Sequence, residues 1–264
     1  MLHVLDGDAL APVFERARLP GRAVVFREAL LEGPWPRPLR GVDEALAAIE
    51  RAAGAGDEVV LWQDEDLFCR LNAAFLAHTF PHARFTNAVG SHADRADLAR
   101  LLARRVPLDA RLAAAWRAYA ADDPRALVPL ARELLWLRLH LERFPHARDG
   151  LDALERRILG ALRDHGPLPF PDLYRRVATG DFAPARFGLT DAAAQQALLA
   201  LVPLAQEGPQ GWSLGAPGRD VLEGRADRLA LAPLERFLGG VRLRGSDVWR
   251  WDGERLVPPS SRKP

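Results

Sequence analysis

The sequence predicts an α/β protein with three parts: a small, mostly parallel Rossmann-like sheet at the N-terminus, a helical middle, and a winged-helix-like C-terminal α+β unit. Three observations predict it. Short β-rich runs alternate with helical segments through the first ninety residues, the order of right-handed βαβ units. Helical periodicity then dominates from Asp94 onward. Beyond Gly150, three helical segments precede the turn-rich stretch Gly208-Pro209-Gln210-Gly211-Trp212-Ser213-Leu214. The 264 residues exceed one average domain, and the boundaries fall at 1–106, 107–148 and 149–264.

The run Leu2-His3-Val4-Leu5 predicts a strand that stops at Asp6-Gly7-Asp8, with a helix over 9–18 broken by Pro20-Gly21. A second strand, Ala23-Val24-Val25-Phe26, runs into the irregular Gly33-Pro34-Trp35-Pro36. Val42, Ala45, Leu46, Ile49 and Ala53 keep helical spacing before the third strand, Glu58-Val59-Val60-Leu61-Trp62. After Gln63-Asp64-Glu65-Asp66 comes a helix through Leu67, Leu71, Phe75 and Leu76, then a fourth strand over 84–89 ending at Gly90-Ser91-His92.

Asp109 and Asp123-Pro124 signal helices running to about Ala121 and Arg143. Asp152 and Glu155 have the spacing of a capping box. Short helices follow near 171–177 and 190–202, and the stretches around Val241-Arg242-Leu243 and Val248-Trp249-Arg250-Trp251 alternate like strands.

Composition excludes several classes. A net charge of +1 gives no global pull toward nucleic acid or an anionic membrane. Residues 1–90 hold 9 basic and 13 acidic groups, net −4, and the remainder carries net +5. Of 36 basic residues only Lys263 is lysine, and only Asn72 and Asn87 are asparagine, the skew of GC-rich codon usage. The single Cys69 excludes an internal disulfide and sits in an apolar run, the setting of a buried inert thiol in a reducing compartment. With no basic n-region at the N-terminus and no apolar run of about 18 residues, the expected location is the cytoplasm, with no membrane partner.

In an open parallel sheet, ligands bind outside the carboxyl ends of the strands. The residues there define an acidic rim, from which Gly7, Asp8, Arg27, Glu32, Gly33, Asp66 and His92 form the expected ligand-binding set. Carboxylates such as Asp8 and Asp66 are hard oxygen ligands suited to Mg²⁺ or Mn²⁺ bound together with a phosphorylated small molecule or nucleotide. Gly7 would allow close backbone approach, Arg27 would fork onto an anion, and His92 would move protons. The competing reading is that Asp8 and Asp66 cap helices; the doubled acids Asp6 with Asp8 and Asp64 with Asp66 exceed what capping needs. No glycine-rich phosphate motif is present. Pro81 between His78 and His82 argues against a zinc pair.

The alternative function lies at the other end: a regulatory or adaptor protein whose winged-helix-like unit meets a protein or nucleic-acid partner. Its expected groove helix, Thr190 to Ala197, contains no Arg or Lys and starts with Asp191, which favours a protein partner over DNA. Trp212, Trp249 and Trp251 are expected to fill a core or interface.

His3-Val4-Leu5-Asp6-Gly7-Asp8, Leu31-Glu32-Gly33-Pro34, Glu58-Val59-Val60-Leu61-Trp62 with Asp66-Leu67-Phe68, Phe144-Pro145 with Asp149-Gly150-Leu151, and Leu238-Gly239-Gly240-Val241 with Trp249-Arg250-Trp251-Asp252 together cover nearly the whole chain. In these motifs the chain resembles the bacterial proteins that carry domain of unknown function 1835. That family often has Asn where this chain has Asp6, and an aromatic-Glu-His run where it has Gln63-Asp64-Glu65. The resemblance therefore implies that Asp8 and Asp66 are the shared features and Asp6 and Asp64 local additions. It implies an architecture and no particular reaction.

Overall fold

A computed structural model describes residues 1–28, 30–31, 33–90 and 97–262. The chain divides into two compact units, Met1–Ala121 and Asp122–Pro264.

The first unit is a mixed α/β layer structure. Its strands are β1 (Leu2–Asp6), β2 (Arg22–Phe26), β3 (Glu58–Gln63), β4 (Arg84–Val89) and the two-residue β5 (Val106–Pro107). The sheet order is β2-β1-β3-β4-β5, parallel except for β5, which runs against β4. The expected mostly parallel sheet is present. Its helices are α1 (Ala11–Ala17), α2 (Asp43–Gly54), α3 (Leu67–Thr79), α4 (Leu98–Ala103) and α5 (Leu112–Ala120).

Period-two alternation sends Leu5, Val60, Trp62 and Ala88 to the face covered by Leu10, Phe14, Leu98 and Leu101. Val4, Phe26 and Leu61 point to the opposite face, toward Leu76 of α3. Because both faces are covered, the central strands read as continuous apolar runs with few breaks. His3 is the exception and is fully buried. Its Nδ1 accepts from the Trp62 indole at 3.0 Å and its Nε2 meets the Pro20 carbonyl at 2.9 Å, the arrangement of a neutral ring. Burial holds its pKa below the ordinary histidine value.

Helix α5 belongs to this unit. The Trp116 ring packs edge-on against Phe75 of α3 at 5.1 Å and against Trp35 at 5.0 Å. The buried Tyr119 hydroxyl shares its proton between the carbonyls of Leu30 and Leu31, at 2.7 and 2.8 Å. The loop after β2 is thus anchored although its glycines and prolines permit no regular element.

The second unit opens with α6 (Leu127–Glu133) and α7 (Trp136–Leu141). The single helix expected to run to Arg143 is broken at Leu134, whose φ of −110° and ψ of 83° leave the helical region. Asp109 does not cap α5 as expected: its carboxylate is captured by the guanidinium and backbone N–H of Arg111, and α5 starts without a side-chain cap.

There follow α8 (Ala153–His165), α9 (Phe170–Val177), α10 (Pro184–Phe187), α11 (Asp191–Leu199), the hairpin β6 (Ala205–Gly208) and β7 (Gly211–Leu214), α12 (Ala216–Leu222) and α13 (Arg228–Leu231). The hairpin β8 (Leu234–Leu238) with β9 (Val241–Gly245) and the short pair β10 (Arg250–Trp251) with β11 (Leu256–Val257) complete it. Leu168 bridges Trp212 in antiparallel fashion. Gly211, at φ 110°, is required there: a Cβ would lie 2.4 Å from the Leu168 backbone.

The capping box forms as expected, with Glu155 N–H donating to Asp152 at 2.7 Å and Asp152 N–H to Glu155 at 3.1 Å. Both carboxylates also take an arginine: Arg228 meets Glu155 at 2.9 Å and Arg236 meets Asp152 at 3.0 Å. Arg228 is 2% exposed. Burial and the Asp152 charge push the Glu155 carboxyl up, with Arg228 acting against them. Trp212, Trp249 and Trp251 are all buried, as core tryptophans should be.

Candidate functional site

The strand order reverses its direction of growth between β1 and β3, so the crevice of the sheet lies where Asp6-Gly7 and Gln63-Asp64 leave it. The expected rim residues meet different fates there. Gly7 adopts φ 86°, and its N–H donates to the carbonyls of Leu5 and Phe26, which turns the chain sharply out of β1. Asp8 caps nothing; both its oxygens accept from the Arg27 guanidinium at 2.8 and 2.9 Å. Arg27 holds the Asp8 carboxyl below the usual range, but both side chains are more than half exposed and water screens the pair. The fork expected to grip an anion is spent on Asp8.

Asp66 is the N-cap of α3 and accepts from the Cys69 N–H at 2.7 Å, which is the capping reading of that residue. Gly33 lies in the loop after β2, next to the cis Gly33-Pro34 bond. Glu32 and His92 fall outside the described residues, as does Ser91. Among the described residues no group of three or more His, Cys, Asp and Glu side chains could hold a metal ion. Asp8 and Asp66 are thus engaged separately, Asp8 by Arg27 and Asp66 at the start of α3.

What the fold does bring together is a polar floor beneath the rim. Asp6 ends β1 on the α3 side of the sheet. Its Oδ2 accepts from the Cys69 thiol at 2.5 Å and its Oδ1 from the Asn72 amide at 3.0 Å. Gln63 ends β3 on the same face, and Asp6, Gln63 and Asn72 surround a cavity of about 10 Å³, closed by Val4, Phe26, Leu61 and Leu76. Asn87 pairs in register with Leu61 and so shares that face. Gln63, Asn72 and Asn87 are 6, 1 and 4% exposed, yet their side-chain oxygens meet no donor among the described residues.

The electrostatics follow from burial. Removal from water raises the Asp6 carboxyl to about 6, aided by the charges of Asp66 and Asp64 and opposed by the bonds from Cys69 and Asn72. Burial also drives the Cys69 thiol far above its ordinary value, so it is a donor and not a nucleophile. That agrees with the inert thiol expected from its apolar setting.

Gln63, Asn72, Asn87 and Cys69 were not in the expected site. One signal pointed to two of them: in a chain with only two asparagines, both lie in segments that otherwise read as core. An amide placed among apolar residues in a helix and a strand has a reason to be there.

A scan of protein-family models finds none that matches the chain. A search of curated proteins likewise finds no match. No helix among the described residues is long and apolar enough to cross a membrane.

Proposed function

We propose that the N-terminal unit binds a small molecule at the switch point of its sheet, with a phosphorylated sugar or nucleotide as the ligand class. The carrying observation is the set of buried side-chain oxygens on Gln63 at the end of β3, Asn87 within β4 and Asn72 of α3, all on the α3 side of the sheet, that lack donors among the described residues. A buried acceptor without a donor costs roughly 1–3 kcal/mol, and three on one face mark a place where a ligand's hydroxyl or amino hydrogens would be welcome. The space beneath them, about 10 Å³, admits no more than a water, which would relay to these oxygens the hydroxyl hydrogens of a sugar seated at the rim. The phosphate would face outward, toward the Gly7 turn and the rim beyond it.

Gln63→Leu tests the proposal. Without ligand, removing a buried amide that has no donor should leave the melting temperature unchanged or slightly higher. Thermal-shift screening with sugar phosphates and nucleotides, with and without Mg²⁺, should raise the wild-type melting temperature for one ligand class and leave Gln63→Leu unmoved. Equal shifts in both proteins would sink the floor as a ligand site.

A second reading concerns the C-terminal unit. Helix α8, the Leu168–Trp212 bridge, helices α9 and α11, and the β6–β7 hairpin follow one another in the order of a winged helix. The outward residues of α11 are Asp191, Ala192, Ala193, Gln195, Gln196 and Leu199, without a cation. This supports a protein partner over a DNA partner. A salt-dependent gel shift distinguishes them, since phosphate contacts lose affinity steeply as salt rises.

A further inference from the structure

We propose that a cleft in the second unit is a binding site for a small organic anion with a flat apolar body, an aromatic carboxylate being the simplest case. The cleft has a volume of about 440 Å³, within the roughly 300–1,000 Å³ of small-molecule sites. Phe144, Phe182 and Trp251 wall it, and Arg138, Arg156 and Arg157 stand among them. It is independent of the polar floor in the first unit.

The three arginines are not equivalent. Arg156 is neutralised by Asp149, with both carboxylate oxygens at 2.7–2.8 Å, and Arg138 faces Glu142 at 3.4 Å. Arg157 has only neutral partners: its Nε donates to the Val177 carbonyl at 2.7 Å and its Nη2 to the Thr179 hydroxyl. The guanidinium also lies over the Phe182 ring, 5.7 Å from its centre. These two acceptors, the Arg176 carbonyl at 3.5 Å from Nη2 and the ring thus fix its orientation while no carboxylate cancels its charge among the described residues, and Nη1 makes no hydrogen bond to them. A guanidinium held in this way is prepared for an anion, and its planar fork matches a carboxylate.

The remaining walls dictate the rest of the ligand. Trp251 is set by backbone pairing rather than by chance surface packing: its N–H donates to the Pro145 carbonyl and its carbonyl accepts from the Ala147 N–H, both at 2.8 Å. His146 accepts at Nδ1 from the Arg148 N–H at 3.1 Å, so in the neutral ring the proton sits on Nε2, a second donor at the same cleft. Aromatic walls beside a fixed cation and a ring N–H donor select a ring that carries one negative group.

Calorimetric titration of the full chain with indole-3-acetate and its neutral isostere indole-3-acetamide is the test. Wild type should bind the carboxylate at least about tenfold more tightly than the amide, the difference that one charge-assisted bond supplies. Arg157→Gln should erase that preference while leaving the melting temperature within a few degrees of wild type. Ala153→Phe, which fills the cleft and leaves every arginine in the chain, should abolish binding of both probes and carries the test if Arg157→Gln does not fold. The proposal is overturned if wild type binds neither probe at millimolar concentration, if it binds both equally, or if Ala153→Phe binds as wild type does. Because every change lies in the second unit, failure here leaves the Gln63→Leu result untouched.

Discussion

Asp6 carries a cost that an amide at the same position would not. Its carboxyl is removed from water yet must accept two hydrogen bonds, and its folded-state pKa of about 6 stands above the ordinary value of 3.8. Below about pH 4 the folded and unfolded chains both hold the proton. Between about pH 4 and 6 only the unfolded chain ionises, so the stabilising contribution of the protonated group declines and is gone above pH 6. The gap between the folded and unfolded values corresponds to at most about 3 kcal/mol. Urea midpoints measured from pH 4 to 8 should therefore fall for wild type relative to Asp6→Asn, and a flat difference across that window would refute the buried-carboxyl reading. An asparagine here would accept and donate without this penalty. The sequence drew attention to the pairs Asp6/Asp8 and Asp64/Asp66, but not to which member turns inward. That choice is made by the pleat: a residue at the end of β1 follows the alternation of Leu2 and Val4 inward, and Gly7 then releases Asp8 to solvent beside Arg27.

Elements are joined in the second unit by ions where apolar contact would be the cheaper solution. Glu155 of α8 and Arg228 of α13 meet at 2.9 Å with side chains 4 and 2% exposed. Removing one partner strands the other charge, so Arg228→Ala should lower the unfolding free energy by about 3–5 kcal/mol, whereas the double change Glu155→Leu with Arg228→Met should restore most of it. Chemical denaturation of the three proteins measures both. An Arg228→Ala loss below about 1 kcal/mol would show the pair to be wet. The capping box at Asp152 and Glu155 was legible because its reciprocal bonds are local, three residues apart. The arginines that complete the cluster were not, because in a chain whose basic residues are nearly all arginine no single one stands out. Leu134 shows the opposite limit: periodicity continued through 123–143, and no glycine or proline there marks the end of α6.

At the scale of the whole molecule, strands and helices of the first ninety residues were readable because β1, β2 and β3 are compact, largely apolar runs and every strand meets Gly or Asp at one end or the other. The extent of the first unit was less so. Residues 107–148 share one helical pattern, yet Leu112–Ala120 lies in the first compact unit and Leu127–Leu141 in the second. Periodicity reports that a helix has an apolar face and is silent on which core receives it. This leads to a direct comparison of fragments. Residues 1–121 should give a soluble product with one cooperative thermal transition, while residues 1–106, lacking Trp116 and Tyr119, should expose Phe75 and the loop after β2 and aggregate or melt without cooperativity. Indistinguishable transitions for the two fragments would show that α5 is dispensable to the sheet.

The charged cluster around α8 also bears on heat. Hydration of isolated ions weakens as temperature rises, so the penalty for keeping charges out of water shrinks while apolar burial gains little more per unit area. Asp152, Glu155, Arg228 and Arg236 thus form a joint whose relative weight grows on warming, and the N-terminus of α8, tied through them to α13 and β8, is strengthened against thermal fraying under the conditions that loosen its neighbours.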